Sequence, residues 1–150
     1  MPQFTAADYM VTNLITLREN MNVYFAIGLL LKNNISGAPV VDKNNNLIGI
    51  LSEKDCLRIF ADISYKNMPV SKTIILGRGT VEEFMTKSVS TVDSNTDLFQ
   101  VAETFLQNNF RRIPVLKNNK LVGQISRRDV LKAIKDLTNY NLDIDEIADS

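Results

Sequence analysis

Val23, Ala26, Ile27, Leu30 and Leu31 form a stripe of helical period, and Leu98, Val101, Ala102, Phe105 and Leu106 repeat it position for position. Apolar residues recurring every three to four positions predict two amphipathic helices with one buried face each. Short β-branched runs at 14–17 and 89–92 precede these helices and predict strands. Asn20 and Asn95 stand in position to cap the two helices. Pro39-Val40-Val41 and Pro114-Val115-Leu116 follow the helices and predict strands that start at the proline, where a missing N–H is tolerated. A further apolar run follows each, at 47–51 and 121–125, and then a last helix. Asn118-Asn119 predicts the hairpin turn, because Asn accepts positive φ.

The whole pattern occurs twice. A shift of 75 residues superposes Thr5 on Thr80, Met10 on Met85, Thr16 on Thr91, Asn20 on Asn95 and Pro39 on Pro114. The first copy has one extra residue in its Asn-rich turn. Beyond that turn a shift of 74 superposes Gly49 on Gly123, Ser52 on Ser126, Asp55 on Asp129 and Leu57 on Leu131. Thr5 with Asp8, and Thr80 with Glu83, are cap pairs that open a short helix at the head of each copy. The copies run over 5–61 and 80–136, with a connector at 62–79 carrying Pro69, Gly77 and Gly79, and a polar C-terminal tail at 137–150 that is expected to be frayed. Each copy alone is too small for a comfortable core. Two β-α-β-β-α units packed with pseudo-twofold symmetry, an α+β fold, solve that problem.

Composition narrows the chemistry. Apolar residues make up 45% of the 150 residues, enough for an ordinary globular core. Lys+Arg and Asp+Glu both number 17, so no global field favours nucleic acid or an anionic membrane, and any anion site must be local. No histidine is present, which removes imidazole-based acid–base catalysis and imidazole metal sites. The single cysteine, Cys56, cannot form an internal disulfide and reads as a small buried hydrophobe. The N-terminus has no charged leader and apolar core, and the longest apolar run, 24–31, is far below the ~20 residues of a membrane helix. A soluble, cytoplasmic protein is expected.

The motifs that carry a function are SGAPVVD with GILSEKD in the first copy and RRIPV with GQISRRD in the second. Two Gly-x-x-Ser-x-x-Asp segments, each behind a Pro-Val strand at the same interval, resemble the tandem cystathionine-β-synthase-type (CBS) domain pair, or Bateman module. The resemblance covers nearly the whole chain. It implies a regulatory module that senses adenosyl ligands (AMP, ADP, ATP or S-adenosylmethionine) in clefts between the paired copies, with no cofactor required. It also implies a homodimer. By the same resemblance, Asp55 and Asp129 accept from ribose hydroxyls, and Ser52 and Ser126 help hold ribose or phosphate. Ala38 with Pro39, and Ile113 with Pro114, line the base pocket. Arg111 and Arg112 stand where a phosphate-contacting base is often placed; the first copy has Ser36 and Gly37 there.

Each of these residues has a plainer reading. Ser-x-x-Asp at a helix start is also a capping box. Both roles can coexist, since a carboxylate has about four acceptor sites. Arg111-Arg112 could be solvated surface charge. Arg127 and Arg128, in the first turn of a helix, oppose its dipole and hint at an anion nearby. Gly77-Arg78-Gly79 lacks the Gly-Lys-Ser/Thr ending of a phosphate loop and reads as linker. No nucleophile–base pair or metal-ligand cluster supports an enzyme. The alternative function is a structural or oligomerisation module without ligand. Phe25 and Leu29 lie roughly opposite the stripe of their helix, where the second copy has Gln100 and Thr104, and this surplus apolar patch is the expected dimer contact. An unidentified effector protein, separate from this chain, would read the ligand.

Overall fold

In the computed structural model, residues 4–65 and 77–149 are described. The first repeat contains α1 (Ala6–Tyr9), β1 (Leu17–Arg18), α2 (Val23–Lys32), β2 (Gly37–Val41), β3 (Leu47–Ser52) and α3 (Glu53–Tyr65). The second contains α4 (Val81–Phe84), β4 (Val92–Asp93), α5 (Leu98–Gln107), β5 (Arg112–Lys117), β6 (Lys120–Ser126) and α6 (Arg127–Asp149). The elements form a mixed α+β protein with two three-stranded sheets, ordered β1-β2-β3 and β4-β5-β6. In each sheet the first pair is parallel and the second antiparallel. A register shift falls at Val40/Val41 in one and at Val115/Leu116 in the other.

The chain divides into two compact units, and these are not the two repeats. One unit takes the described residues up to Asn13 together with those from Ser90 onward; the other is Leu14–Val89. Each sheet therefore receives the leading helix of the other repeat. In the first unit, Ala6 N–H donates to Thr96 O (2.8 Å), Ala7 N–H to Ser94 O (2.9 Å) and Leu98 N–H to Phe4 O (3.0 Å). In the second, Val81 N–H donates to Met21 O (2.9 Å), Glu82 N–H to Glu19 O (3.0 Å) and Val23 N–H to Gly79 O (3.0 Å). Every bond of one set maps on the other by the same 75-residue shift. Ala6 and Val81 are fully buried and seat the two leading helices in their cores.

The core of the Leu14–Val89 unit is built on Leu17, Val23, Ala26, Leu30, Val40 and Leu51. That of the other is built on Leu98, Val101, Phe105, Ile113, Val115 and Ile125. The two helical stripes are thus buried as their period predicts, with one correction. Leu31 and Leu106 are 76% and 87% exposed. Both lie at the edge of their stripe, about 80° from its centre at ~100° per residue, where the sheet no longer covers them.

Other local expectations also shift. The helix caps are Asn22, which accepts from Tyr24 N–H (2.9 Å), and Asp97, which accepts from Phe99 N–H (2.8 Å). Asn20 and Asn95 lie two residues earlier, in the turns after β1 and β4. Those two strands are only two residues long and occupy the ends of the apolar runs. Asn118 and Asn119 take φ of 52° and 64°, as a tight hairpin turn requires. The prolines sit inside β2 and β5 rather than at their starts. Pro39 pairs with Ile50, whose N–H and C=O are spent on Thr86 on the far side (both 2.9 Å). In an antiparallel ladder the residue opposite such an outward-facing one also faces outward. The proline's missing N–H therefore removes no bond to β3. Pro114 stands in the same relation to Gln124, which is bonded to Val11.

The connector expected at 62–79 overlaps α3 up to Tyr65, and residues 66–76 lie outside the described residues. The C-terminal segment expected to be frayed is helical, because α6 continues to Asp149. Among the described residues no helix is long and apolar enough to cross a membrane.

Candidate functional site

The sequence-predicted site residues fall into two sets, and each set lies within one compact unit. Ser52 ends β3 and Asp55 sits in the first turn of α3; Ser126 ends β6 and Asp129 sits in the first turn of α6. Both pairs form capping boxes. Ser52 N–H and Oγ–H donate to Asp55 Oδ2 (2.9 and 3.0 Å), and Asp55 N–H donates to Ser52 Oγ (3.1 Å). Ser126 N–H and Oγ–H donate to Asp129 Oδ2 (2.8 and 2.9 Å), and Asp129 N–H donates to Ser126 Oγ (3.2 Å). The serine hydroxyl protons are thus committed to the aspartates. What remains to a ligand from each serine is acceptor capacity.

The second carboxylate oxygens differ. Asp55 Oδ1 accepts from Arg58 Nη1 and from Thr86 Oγ1, both at 2.9 Å. With the two bonds on Oδ2, its acceptor sites are all used. Asp129 Oδ1 has only the Lys132 ammonium, 3.8 Å away on a side chain that is 69% exposed. That distance is beyond a hydrogen bond. Two acceptor positions on one oxygen of Asp129 therefore remain open among the described residues. A vicinal diol presents two O–H donors, which is the number that oxygen can take.

The cations follow the same asymmetry. Arg112 opens β5 directly across from Ser126, where the other unit has Gly37 across from Ser52. Arg111 and Arg112 are exposed, as are Arg127 and Arg128 at the start of α6. No ion pair holds any of these four among the described residues. The first N–H of α3 is closed by Ser36 O (Glu53 N–H, 2.8 Å). Arg127 N–H, its counterpart, has no such acceptor among the described residues. Unpaired N–H groups at a helix start favour anions.

Ala38 and Ile113, expected along the base pocket, are 1% and 0% exposed, and Pro39 and Pro114 are also fully buried. They belong to the cores and form the packed ground under the motifs. Thr86, Arg58 and Lys132 escaped the sequence reading. The signal for Thr86 was present: the 75-residue shift places Val11 on it, so only one repeat carries a hydroxyl there.

Cys56 follows Asp55 and is half-buried. Burial, then the carboxylates of Asp55 and Glu53, push its thiol up to about 11. A thiol held neutral is a poor nucleophile. Elsewhere, a groove of about 160 Å³ in the first unit is lined by Phe4, Leu98, Phe99, Ala102, Val130, Ala133, Ile134 and Leu137. That lining suits an apolar surface and offers nothing to a phosphate.

The family model for the CBS domain matches residues 6–62 and again 81–136. A CBS domain-containing protein of Arabidopsis thaliana chloroplasts, CBSX2, is 30% identical over 150 residues, spanning 87% of this chain and 63% of that protein. The uncharacterized protein MJ1225 of Methanocaldococcus jannaschii is 32% identical over 127 residues, 85% of this chain and 41% of the relative. The chain thus spans less than two thirds of the length of these two relatives. The crystal structure of CBSX2 in complex with AMP superposes with a TM-score of 0.74 at 29% identity, covering 90% of this chain and 98% of that one.

Proposed function

Because the chain belongs to the CBS-domain family, matched over both of its repeats, we propose that it is a regulatory module that binds an adenosyl ligand at the Asp129 motif. AMP, ADP, ATP and S-adenosylmethionine are the candidates. The observation that carries the reading is Asp129 Oδ1, open to two donors beside Ser126, the residue that pairs with Arg112 across the sheet. In this reading Asp129 accepts the ribose hydroxyls, and Arg111 and Arg112 take the phosphate. The packed residues Ile113 and Pro114 back the base. The pseudo-equivalent set is Asp55, Ser52, Ala38 and Pro39. CBSX2, a relative with the same fold, has been solved with AMP, which supports the ligand class. Occupancy would be read by an effector protein, and the module would act as a homodimer in the cytoplasm.

Thermal melting with AMP, ATP and S-adenosylmethionine tests the reading. A ligand that binds only the folded chain stabilises it by about 2.7 kcal/mol at a hundredfold excess over Kd. Asp129→Ala should abolish most of that shift, because losing a charged acceptor costs about 1.5–3 kcal/mol, a ten- to hundredfold loss in affinity. Asp55→Ala should change it far less. An unshifted Tm with every ligand would instead favour a structural module. The two complete capping boxes give that second reading its support, since they explain both aspartates without a ligand.

A further inference from the structure

We infer that the chain fills one of its two adenosyl sites with its own side chains: Thr86 and Arg58 occupy Asp55 in place of a ribose diol, so that one ligand binds per chain. The inference rests on the functional reading above and goes beyond it in naming what closes the other site.

Thr86 reaches Asp55 through a specific route. It lies on the segment after α4, which runs alongside β3 and exchanges both main-chain bonds with Ile50. That pairing fixes the residue beside the strand whose end carries the Ser-x-x-Asp motif. Its hydroxyl then donates to Asp55 Oδ1 at 2.9 Å. Arg58, three residues after Asp55 on α3, donates to the same oxygen at 2.9 Å. The two donors on one oxygen copy the stoichiometry of the two hydroxyls of a ribose.

The other unit has the same backbone and lacks both donors. Val11 exchanges main-chain bonds with Gln124 (2.8 and 2.9 Å), as Thr86 does with Ile50, and its side chain has no hydroxyl. Lys132 replaces Arg58, and its ammonium stays 3.8 Å from Asp129 Oδ1. A flexible, exposed ammonium can swing aside for a ligand, whereas a hydroxyl fixed by a paired backbone cannot. Ser36 O closes the first N–H of α3 as well, whereas Arg127 N–H has no such acceptor among the described residues. Two neighbouring positions, 86 and 58, thus decide which repeat is available.

Stoichiometry is the readout, by titration calorimetry and native mass spectrometry of the full chain. Adenosine is used beside AMP, because the Asp55 motif has no arginine before its proline. The wild type is expected to take one AMP or adenosine per chain, weakened at least tenfold by Asp129→Asn and unchanged by Asp55→Asn. Thr86→Val combined with Arg58→Leu should admit a second adenosine, lost again when Asp55→Asn is added. If that double variant fails to fold, Thr86→Val alone in the Asp129→Asn background should restore adenosine binding that Asp129→Asn has removed. Two ligands on the wild type, loss on Asp55→Asn alone, or a folded opened variant that still takes one adenosine would each overturn the inference. A wild type that binds none of the adenosyl ligands would remove the functional reading itself, and this inference with it.

Discussion

Gly123 and Val11 lie so close that a Cβ on residue 123 would stand 2.9 Å from the Val11 carbonyl oxygen. Gly49 and Thr86 repeat the relationship, with a Cβ at residue 49 also 2.9 Å from the Thr86 carbonyl oxygen. The glycine of each Gly-x-x-Ser-x-x-Asp motif therefore serves the strand-side segment that the other repeat contributes. Gly123→Ala must push that backbone away or break its bonds to Gln124. Overpacking of this kind costs about 1–3 kcal/mol. Denaturant titration should show a lower midpoint for Gly123→Ala, and likewise for Gly49→Ala. A wild-type midpoint would mean that the segments are not held against their strands.

The arginines before Pro114 should separate phosphate from nucleoside. Charge-assisted bonds from a guanidinium to phosphate are stronger than neutral ones. Arg112→Ala and Arg111→Ala are expected to weaken AMP and ATP about tenfold while leaving adenosine nearly unchanged. The difference should shrink at high salt, since these side chains are exposed and screened. Equal losses for adenosine and AMP would place the arginines outside the phosphate site.

The repeat, the helical stripes, the hairpin at Asn118-Asn119 and both Ser-x-x-Asp motifs were legible because each is a local pattern. The exchange of leading helices was not. Internal similarity shows that Thr5 corresponds to Thr80, but an exchanged and an unexchanged arrangement have the same repeat signature. Which sheet receives Ala6 is decided by tertiary packing. That single fact hid the role of Thr86, which matters only once the segment carrying it lies along β3. Pro39 and Pro114 were misplaced for a related reason. Their tolerance inside a strand depends on Thr86 and Val11 binding the far side of their partners, Ile50 and Gln124.

Cys56 should be inert in the folded chain. Its thiol is pushed up to about 11, whereas an unfolded thiol ionises near ~8.5. At pH 8 the thiolate fraction falls on the order of a hundredfold, and alkylation by iodoacetamide should slow accordingly relative to the urea-unfolded chain. The sign for stability follows. The folded state holds this proton more tightly, so the contribution is complete below ~8.5 and is lost as pH rises through about 11. Rapid alkylation of the native chain at pH 8 would contradict a raised thiol.

Exposed apolar side chains direct the dimer prediction to a revised pair. Phe25 is 61% exposed, as its helical position opposite the stripe predicts. Leu29 packs partly against the core of its own unit, so changing it would test folding rather than association. Leu57 on α3 is 67% exposed and is the better companion. Its counterpart Leu131 is 60% exposed, and Leu31 and Leu106 are likewise matched in exposure at corresponding positions. A folded chain seldom leaves the same apolar positions uncovered in both of its repeats without a partner surface. A second copy fits best, because matched faces suit the self-complementary contact of a twofold dimer. Sedimentation should give twice the chain mass for the wild type. Phe25→Asp with Leu57→Asp should give the single-chain mass while keeping a cooperative melt, since neither side chain is part of a buried core. A folded double variant that sediments like the wild type would move the interface elsewhere, and the apolar groove beside Phe99 and Ile134 would be the next surface to probe.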